Sequence, residues 1–185
     1  MPTHLGTVIL ETERLLLRRV EIADADAMFR NWASDSDVTK YLTWPPHSSV
    51  DVTKAVLADW VSHYPEPDFY QWAIVLKGES SEPIGNISKV GGDDRVGRVE
   101  IGYCIGKAWW HKGIMSEALK AVMDFFFDRV GMNRVEAQHD VNNPNSGAVM
   151  RKCGMVYEGT LRQYGFNNQG ICDICTYAQL AQDRD

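Results

Sequence analysis

The chain has 185 residues and a mass of 20.9 kDa, and we expect one domain over residues 1–185. Its 19 Lys and Arg against 25 Asp and Glu give a net charge of −6, which argues against direct binding of nucleic acid or of anionic membranes and mildly favours an amine partner. The hydrophobic content of 44% excludes a disordered tail, and the longest apolar runs fall far short of the ~20 residues that span a membrane.

The predicted elements place helices and strands in the order β-α-α-β-β-β-α-β-α-β-β. The strands are expected from apolar and β-branched runs, at residues 12–18, 69–76, 83–90, 98–105, 134–139, 155–164 and 173–180. The helices are expected from apolar residues at helical spacing, at residues 23–33, 49–63, 113–130 and 145–153. The short connections between strands 69–76, 83–90 and 98–105 favour an antiparallel meander. Strand 98–105, helix 113–130 and strand 134–139 then form a parallel β-α-β crossover. This is an α/β (α+β) fold with a mixed sheet of about seven strands and about four flanking helices.

The cysteines indicate a reducing compartment. The first residues lack the basic and apolar stretches of a secretory signal, so we predict a cytoplasmic protein with reduced thiols. Cys172 and Cys175 form a lone C-x-x-C in a predicted strand, where residues three apart point to opposite faces. We therefore expect no metal site and no redox pair there.

The junction between strand 98–105 and helix 113–130 is a candidate anion site. The start of a helix leaves backbone N–H groups unpaired and carries partial positive charge, which suits a phosphate. Gly113 lets the backbone approach an anion, Lys112 adds a positive charge and Ser116 adds a hydroxyl donor. The alternative is a tight loop-to-helix junction with no ligand.

A second polar helix start follows strand 134–139. Asn143 or Asn145 could cap helix 145–153, and capping alone would account for this Asn-rich turn. The crossover brings the turn beside the start of helix 113–130, at the carboxyl ends of two strands, where ligands of open α/β sheets bind.

Several motifs in order resemble the GCN5-related N-acetyltransferases (GNAT), and most closely the branch of the ribosomal-protein N-terminal acetyltransferases of the RimJ and RimL types. The resemblance covers about residues 8–180. The motifs are T-E-R-L-x-L-R at 12–18, I-G-x at 84–86, E-I-G-Y at 100–103, W-x-x-G-x-x-[ST]-E-A at 110–118 and N-x-x-S-x-x-x-x-x-K-x-G-[FM] at 143–155.

The resemblance implies that an acetyl group passes from acetyl-coenzyme A (acetyl-CoA), bound as co-substrate, to a primary amine, with no metal. It assigns the pyrophosphate to a loop comprising His111, Lys112, Gly113, Ile114, Met115 and Ser116, although Met115 is bulkier than the family's usual residue. It assigns pantetheine to the strand end at Tyr103, Cys104 and Ile105, and gives Asn143 a role in orienting the coenzyme or a water.

Transfer to an amine requires a base, because a protonated amine cannot attack. Glu100 is our candidate base; the alternative is a strand carboxylate that faces solvent or pairs with Arg98 or Arg134. Many relatives carry a tyrosine acid where this chain has Met150, and the resemblance gives Ser146 that role; the alternative is a simple hydroxyl at a helix start.

The acceptor site should involve the two early helices and their loop, with Trp44 and Trp109 as candidate walls, each equally well explained by packing. The branch favours a protein N-terminal α-amino group as acceptor. A small-molecule amine such as a polyamine, amino sugar or antibiotic is the alternative, and a non-catalytic acyl-CoA-binding module is a third reading. A homodimer is common in the family.

Overall fold

The computed structural model describes residues 1–184, so the predicted domain 1–185 ends one residue outside the described residues. One mixed sheet has the strand order β1-β2-β3-β4-β5-β6-β8-β7. The strands are β1 Leu10–Glu11, β2 Leu15–Arg18, β3 Gln71–Leu76, β4 Pro83–Asp93, β5 Arg98–Ile105, β6 Arg134–Asp140, β7 Val156–Asn167 and β8 Gly170–Leu180. The α-helices are α1 Ala25–Met28, α2 Ser36–Thr39, α3 Val50–His63, α4 Ile114–Phe125 and α5 Pro144–Lys152.

The predicted crossover is confirmed. Strands β5 and β6 are the parallel neighbours, and every other neighbouring pair is antiparallel. Their pairing runs only from Arg98–Arg134 to Glu100–Glu136. Since β5 continues to Ile105 and β6 to Asp140, the two strands diverge beyond this pair, and the gap opens at their carboxyl ends.

The sheet has eight strands rather than about seven because β1, which precedes the predicted strand 12–18, was not predicted, and the first three residues of that predicted strand form a turn. The Thr12 N–H donates to the Leu15 carbonyl at 3.0 Å, and the Leu15 N–H donates to the Thr12 hydroxyl at 2.9 Å. This turn separates β1 from β2, which pair with each other. Strand β4 runs to Asp93, three residues beyond the predicted end at residue 90, and Gly91 and Gly92 lie within it beside a bulge that follows Lys89.

The early helical region also differs from the prediction. Helix 23–33 is a succession of a 3-10 turn, Ile22–Asp24, the short α1 and a π-helical turn, Phe29–Ala33. A fifth α-helix, α2, was missed; the Asp35 carboxylate caps it by accepting from the backbone N–H groups of Asp37 and Val38. No helix within residues 1–184 is long and apolar enough to cross a membrane.

Each face of the sheet covers its own core. Trp72, Leu119 and Phe126 are fully buried between the sheet and α4. Trp32 and Leu57 are buried on the other face, beneath α1 and α3. Successive side chains of a strand point to opposite faces, so alternate residues of β5 belong to different cores. Val99, Ile101, Tyr103 and Ile105 pack on the α4 side, whereas Cys104 packs on the α1 side.

Candidate active site

A cleft of about 550 Å³ opens where β5 and β6 diverge. Four segments line it: the end of β5, the loop and first turn of α4, the loop and first turns of α5, and residues 37–42. The cleft brings together most of the predicted site residues, namely Tyr103, Cys104, Ile105, Trp109, His111, Gly113, Ile114, Met115, Ser116, Asn143 and Ser146. Glu100, Lys112 and Trp44 do not line it.

The loop before α4 presents unpaired backbone donors. Among the described residues, none accepts a hydrogen bond from the backbone N–H groups of residues 111–116; the next N–H, of Glu117, donates to the Gly113 carbonyl. Two residues of this loop have left-handed backbones, His111 at φ 60° and Gly113 at φ 72°. Consecutive free N–H groups at a helix start form an anion-binding concavity, so the loop fits the pyrophosphate of the coenzyme.

Two side chains differ from the predicted picture of this loop. The Lys112 side chain is exposed outside the cleft, and the lysine that lines the cleft beside this loop is Lys152, on the last turn of α5; Lys40 lines it from the α2 side. Lys152 Nζ lies 3.5 Å from where a Cβ on Gly113 would stand. Met115 is 6% exposed and packs in the α4 core, so most of its bulk is accommodated in the core although it also contributes to the lining of the cleft.

Arg14 braces the same loop from the β1–β2 turn, a contact that the sequence analysis missed. Its guanidinium donates to the Lys112 carbonyl at 3.1 Å and to the Glu117 carboxylate at 2.6 Å. Burial alone would raise the pKa of Glu117, but hydrogen bonds from Thr12 and Arg14 outweigh it and hold the pKa below its usual range. Glu117 therefore stays ionised and paired with Arg14. The T-E-R motif carried this signal, but it was used only to predict a strand and to support the family resemblance.

Tyr103 bridges the gap between the diverging strands. Its hydroxyl lies 3.0 Å from the Ser146 hydroxyl and 3.1 Å from the Ser146 carbonyl, at the start of α5. Burial raises the pKa of Tyr103, so the phenol stays protonated and can donate to Ser146. Ser146 is thus more than a simple hydroxyl at a helix start. Asn143 occupies the cap position, but its side chain makes no capping hydrogen bond, so the capping explanation is wrong.

Cys104 lies at the base of the cleft beside β4. Its thiol donates to the side-chain oxygen of Asn86 at 2.9 Å, and burial raises its pKa to about 12. Cys153 is buried at the end of α5, where burial raises its pKa to about 11 and its thiol donates to the Ser116 carbonyl. Both thiols stay protonated near neutral pH and are poor nucleophiles.

Glu100 faces the opposite side of the sheet from Tyr103, because the two residues are three apart on one strand. Within residues 1–184 its carboxylate accepts no hydrogen bond and forms no ion pair. Arg98 and Arg134 instead bind the buried Glu136, at 2.5 and 2.6 Å, so the alternative pairing of Glu100 with them is wrong. Burial, and then repulsion from Glu136, raise the pKa of Glu100, with Arg98 opposing.

The two tryptophans predicted as acceptor walls have different surroundings. Trp109 lines the cleft on the loop between β5 and α4. Trp44 packs instead against the core beneath α1 and α3, with its ring 5.2 Å from that of His47. Across residues 1–184, no three His, Cys, Asp or Glu side chains are grouped so as to hold a metal ion.

Comparison with known proteins places these features in a family. Residues 14–156 match the family model described as the acetyltransferase (GNAT) domain. The chain is 32% identical to the uncharacterized N-acetyltransferase p20 of Bacillus licheniformis, over 94% of this chain and 97% of that protein. It is 28% identical to the ribosomal-protein-serine acetyltransferase of Escherichia coli, over 75% of this chain and 76% of that protein.

The fold agrees with a solved structure of the ribosomal alpha-N-protein acetyltransferase RimL in complex with coenzyme A. The TM-score is 0.84, with 22% identity, over 96% of this chain and all of that one. GNAT enzymes use acetyl-CoA, and the unpaired N–H groups of the α4 loop fit its phosphates. The chain therefore belongs to the GNAT family of N-acetyltransferases.

Proposed function

We propose that this enzyme acetylates the N-terminal α-amino group of a protein, by direct attack of the amine in a ternary complex with acetyl-CoA. The observation that carries this proposal is the open sheet face beside Glu100. Helices α1 and α3 pack over the part of that face that carries Ala73 of β3 and Cys104 of β5. By strand alternation Val156 and Leu161 of β7 share the face with Glu100, and they are 61% and 45% exposed. An extended peptide has room there, and the 28% identity with a ribosomal-protein-serine acetyltransferase supports such an acceptor.

The coenzyme side of the site uses backbone groups. Residues 111–116 would hold the pyrophosphate with their N–H groups, with Lys152 adding charge. The indole N–H of Trp110 donates a hydrogen bond to the Ile105 carbonyl at 2.9 Å. Tyr103, Cys104 and Ile105 would receive pantetheine along the edge of β5 that β6 leaves free. Asn143, at the N-cap position of α5, would orient the coenzyme or a water.

Two side chains would move the protons. Glu100 would accept the proton that the amine loses, directly or through water, because its carboxylate is unpaired and its raised pKa makes it a better base than a free glutamate. Ser146 would protonate the departing thiolate, and the Tyr103 hydroxyl would orient the Ser146 hydroxyl. Acetyl-CoA supplies the activated acetyl group.

The remaining parts of the proposal concern the surroundings of the site. Trp109 would form one acceptor wall, and Trp44 would act through the segment it anchors rather than by contact. We further propose that the enzyme acts in the cytoplasm, where its four cysteines, all free in this structure, would stay reduced. We also propose that it forms a homodimer, as is common in the family.

The test measures thiol release from acetyl-CoA with two acceptor panels. Peptides with small N-terminal residues should be acetylated at the α-amine, whereas polyamines, amino sugars and aminoglycosides should react far more slowly. Faster reaction with the small amines would instead support the small-molecule alternative. Coenzyme binding without turnover on either panel would support the non-catalytic module.

The proposed base is tested with Glu100→Gln. This variant should lower kcat by about 10²-fold or more while the Kd for coenzyme A changes less than about twofold. Glu79→Gln, an exposed carboxylate in the β3–β4 turn, is the matched control and should behave as wild type. Unaltered turnover of Glu100→Gln would reject Glu100 as the base.

A further inference from the structure

The turn between β7 and β8 touches both walls of the cleft. On one side, Asn167 donates from Nδ2 to the Asp140 carboxylate at 2.7 Å. The other oxygen of Asp140 accepts from the Asn142 backbone N–H at 2.7 Å and from the Asn142 side chain at 3.0 Å. Asn142 lines the cleft ahead of α5. Asn167, which is 3% exposed, is thereby tied to the wall that the proposed coenzyme site uses.

Asn168 is tied to the opposite wall. Its side-chain Nδ2 donates to the carbonyls of Thr39 and Trp44, both at 2.8 Å. Its backbone N–H donates to the Leu42 carbonyl at 3.2 Å. One residue thus holds both ends and the middle of the segment that follows α2. Tyr41 and Leu42 of this segment line the cleft.

The segment 40–44 has few other hydrogen bonds. The Leu42 N–H donates to the Thr39 carbonyl at the end of α2. The Trp44 ring lies against His47 and packs on the core beneath α1 and α3, which holds the end of the segment but not Tyr41 and Leu42. Within residues 1–184, Asn168 makes the only hydrogen bonds that reach this segment or its Thr39 anchor carbonyl from a different part of the fold. The position of Tyr41 and Leu42 in the cleft therefore depends on a residue more than 120 positions away in the chain.

We propose that the Asn167–Asn168 turn is a clasp between the two walls of the cleft, and that Asn168 is a positioning residue for the acceptor amine, because it holds Tyr41 and Leu42 against the reaction site. The proposal rests on the proposed function, in which β5, α4 and α5 take the coenzyme and leave the 37–42 wall to the acceptor. Loosening Asn168 should impair acceptor binding and leave coenzyme binding unchanged, since within residues 1–184 the side chain of Asn168 bonds only to the 39–44 side of the cleft, whereas Asn167 holds the coenzyme side.

The clasp is tested with Asn168→Ala and Asn168→Asp. Alanine removes both side-chain donors, and aspartate keeps the shape while replacing the donors by oxygens that cannot donate. Each variant should raise the acceptor KM by about tenfold, which corresponds to the net value of about one hydrogen bond. The kcat and the Kd for coenzyme A should each stay within about twofold of wild type.

Gln169→Ala, in the same turn, is the matched control, because the Gln169 side chain bonds only to the Asn168 carbonyl. A purely structural role for Asn168 would lower the Tm without separating acceptor KM from kcat. Equal losses in acceptor KM and coenzyme affinity, or an unchanged acceptor KM in both Asn168 variants, would overturn the proposal.

A second measurement does not depend on the acceptor. Hydrogen–deuterium exchange on the coenzyme A complex should show about tenfold faster exchange of the amides at 40–44 in Asn168→Ala, with no change in Gln169→Ala. Unchanged exchange in this segment would reject the clasp, even if no acceptor had been found. Faster exchange without any turnover would support the clasp and would count only against the proposed function. If the alanine variant does not fold, the aspartate variant decides both measurements.

Discussion

Substituting Gly147 by alanine gives a test in which helix propensity and packing predict opposite signs. Gly147 lies in the first half of α5, where alanine ordinarily stabilises a helix by about 1 kcal/mol relative to glycine. A Cβ at this position, however, would lie 2.5 Å from Nε2 of His139 and 3.1 Å from its Cε1. Ordinary contact begins at 3.4 Å, so either the ring or the helix would have to move by about 0.9 Å.

The His139 ring has little freedom to yield. It is 9% exposed, its Nδ1 donates to the Asp140 carbonyl at 2.7 Å, and it lies 5.6 Å from the Tyr177 ring. The first turn of α5 should therefore shift instead, and with it Ser146. A shift of this size would stretch the 3.0 Å contact between Ser146 and Tyr103 beyond hydrogen-bonding distance.

The expected cost combines these terms. Overpacking costs about 1–3 kcal/mol, and the gain in propensity offsets about 1 kcal/mol of it. Loss of the Tyr103–Ser146 bond adds about 1 kcal/mol, which leaves a net destabilisation of about 1–3 kcal/mol. For a chain of this length the Tm should fall by about 2–12 °C. Turnover should fall by about tenfold or more, since displacements near 1 Å from a productive geometry are costly.

Thermal unfolding and steady-state kinetics of Gly147→Ala measure both effects, and a double-mutant cycle with His139→Ala isolates the cause. In the His139→Ala background the clash is removed, so Gly147→Ala should be neutral or stabilising. A higher Tm in the wild-type background would refute the reasoning. An equal loss of stability in both backgrounds would show that His139 is not the obstacle.

Three further predictions concern the groups around the site. The acidic limb of the kcat/KM profile should follow Glu100. Only the ionised form of Glu100 can accept a proton, so activity should fall as the pH drops through its raised pKa. Glu136→Gln should move this limb to lower pH, because it removes a negative charge that repels the Glu100 carboxylate. Tyr103→Phe should lower kcat with little change in coenzyme Kd, because it removes the hydroxyl that orients Ser146; an unaltered kcat would contradict this role. Cys104, with a pKa of about 12, should be alkylated by iodoacetamide at pH 8 at least about 10²-fold more slowly than a free cysteine, as followed by mass spectrometry.

Elements with a strong local pattern were predicted closely. Strand β5 has the bounds expected from its sequence, and α4 begins one residue after the predicted start, because Gly113 takes the left-handed conformation that marks the junction. The hairpin of β1 and β2 was missed because β1 has only two residues and its turn is closed by two short-range hydrogen bonds between Thr12 and Leu15, which leave no periodic pattern in the sequence. Helix α2, with four residues, is too short to show a period.

The candidate site was predicted where it depends on backbone and missed where it depends on distant side chains. The α4 loop follows from the order of strand, glycine and helix. Lys152, and not Lys112, lines the cleft beside Gly113. This depends on how α5 packs beside α4, which the local sequence does not determine. The Asn168 contacts with Thr39 and Trp44 bring together segments more than 120 residues apart, and no periodic pattern records them.

The face of the sheet to which Glu100 points could have been predicted from the sequence. If Tyr103 lies in the cleft on the α4 side, a residue three positions earlier on the same strand must face the other way. The proposed base therefore reaches the amine from one face, whereas the phosphate loop and Ser146 lie on the other. These faces can communicate only where β5 and β6 stop pairing, after Glu100 and Glu136. The same divergence leaves polar groups on the free edge of β5, and a buried backbone group without a partner is costly. Pantetheine amides would satisfy those groups, so in the proposed mechanism the break in the sheet would serve both as the passage between its two faces and as the coenzyme's hydrogen-bonding edge.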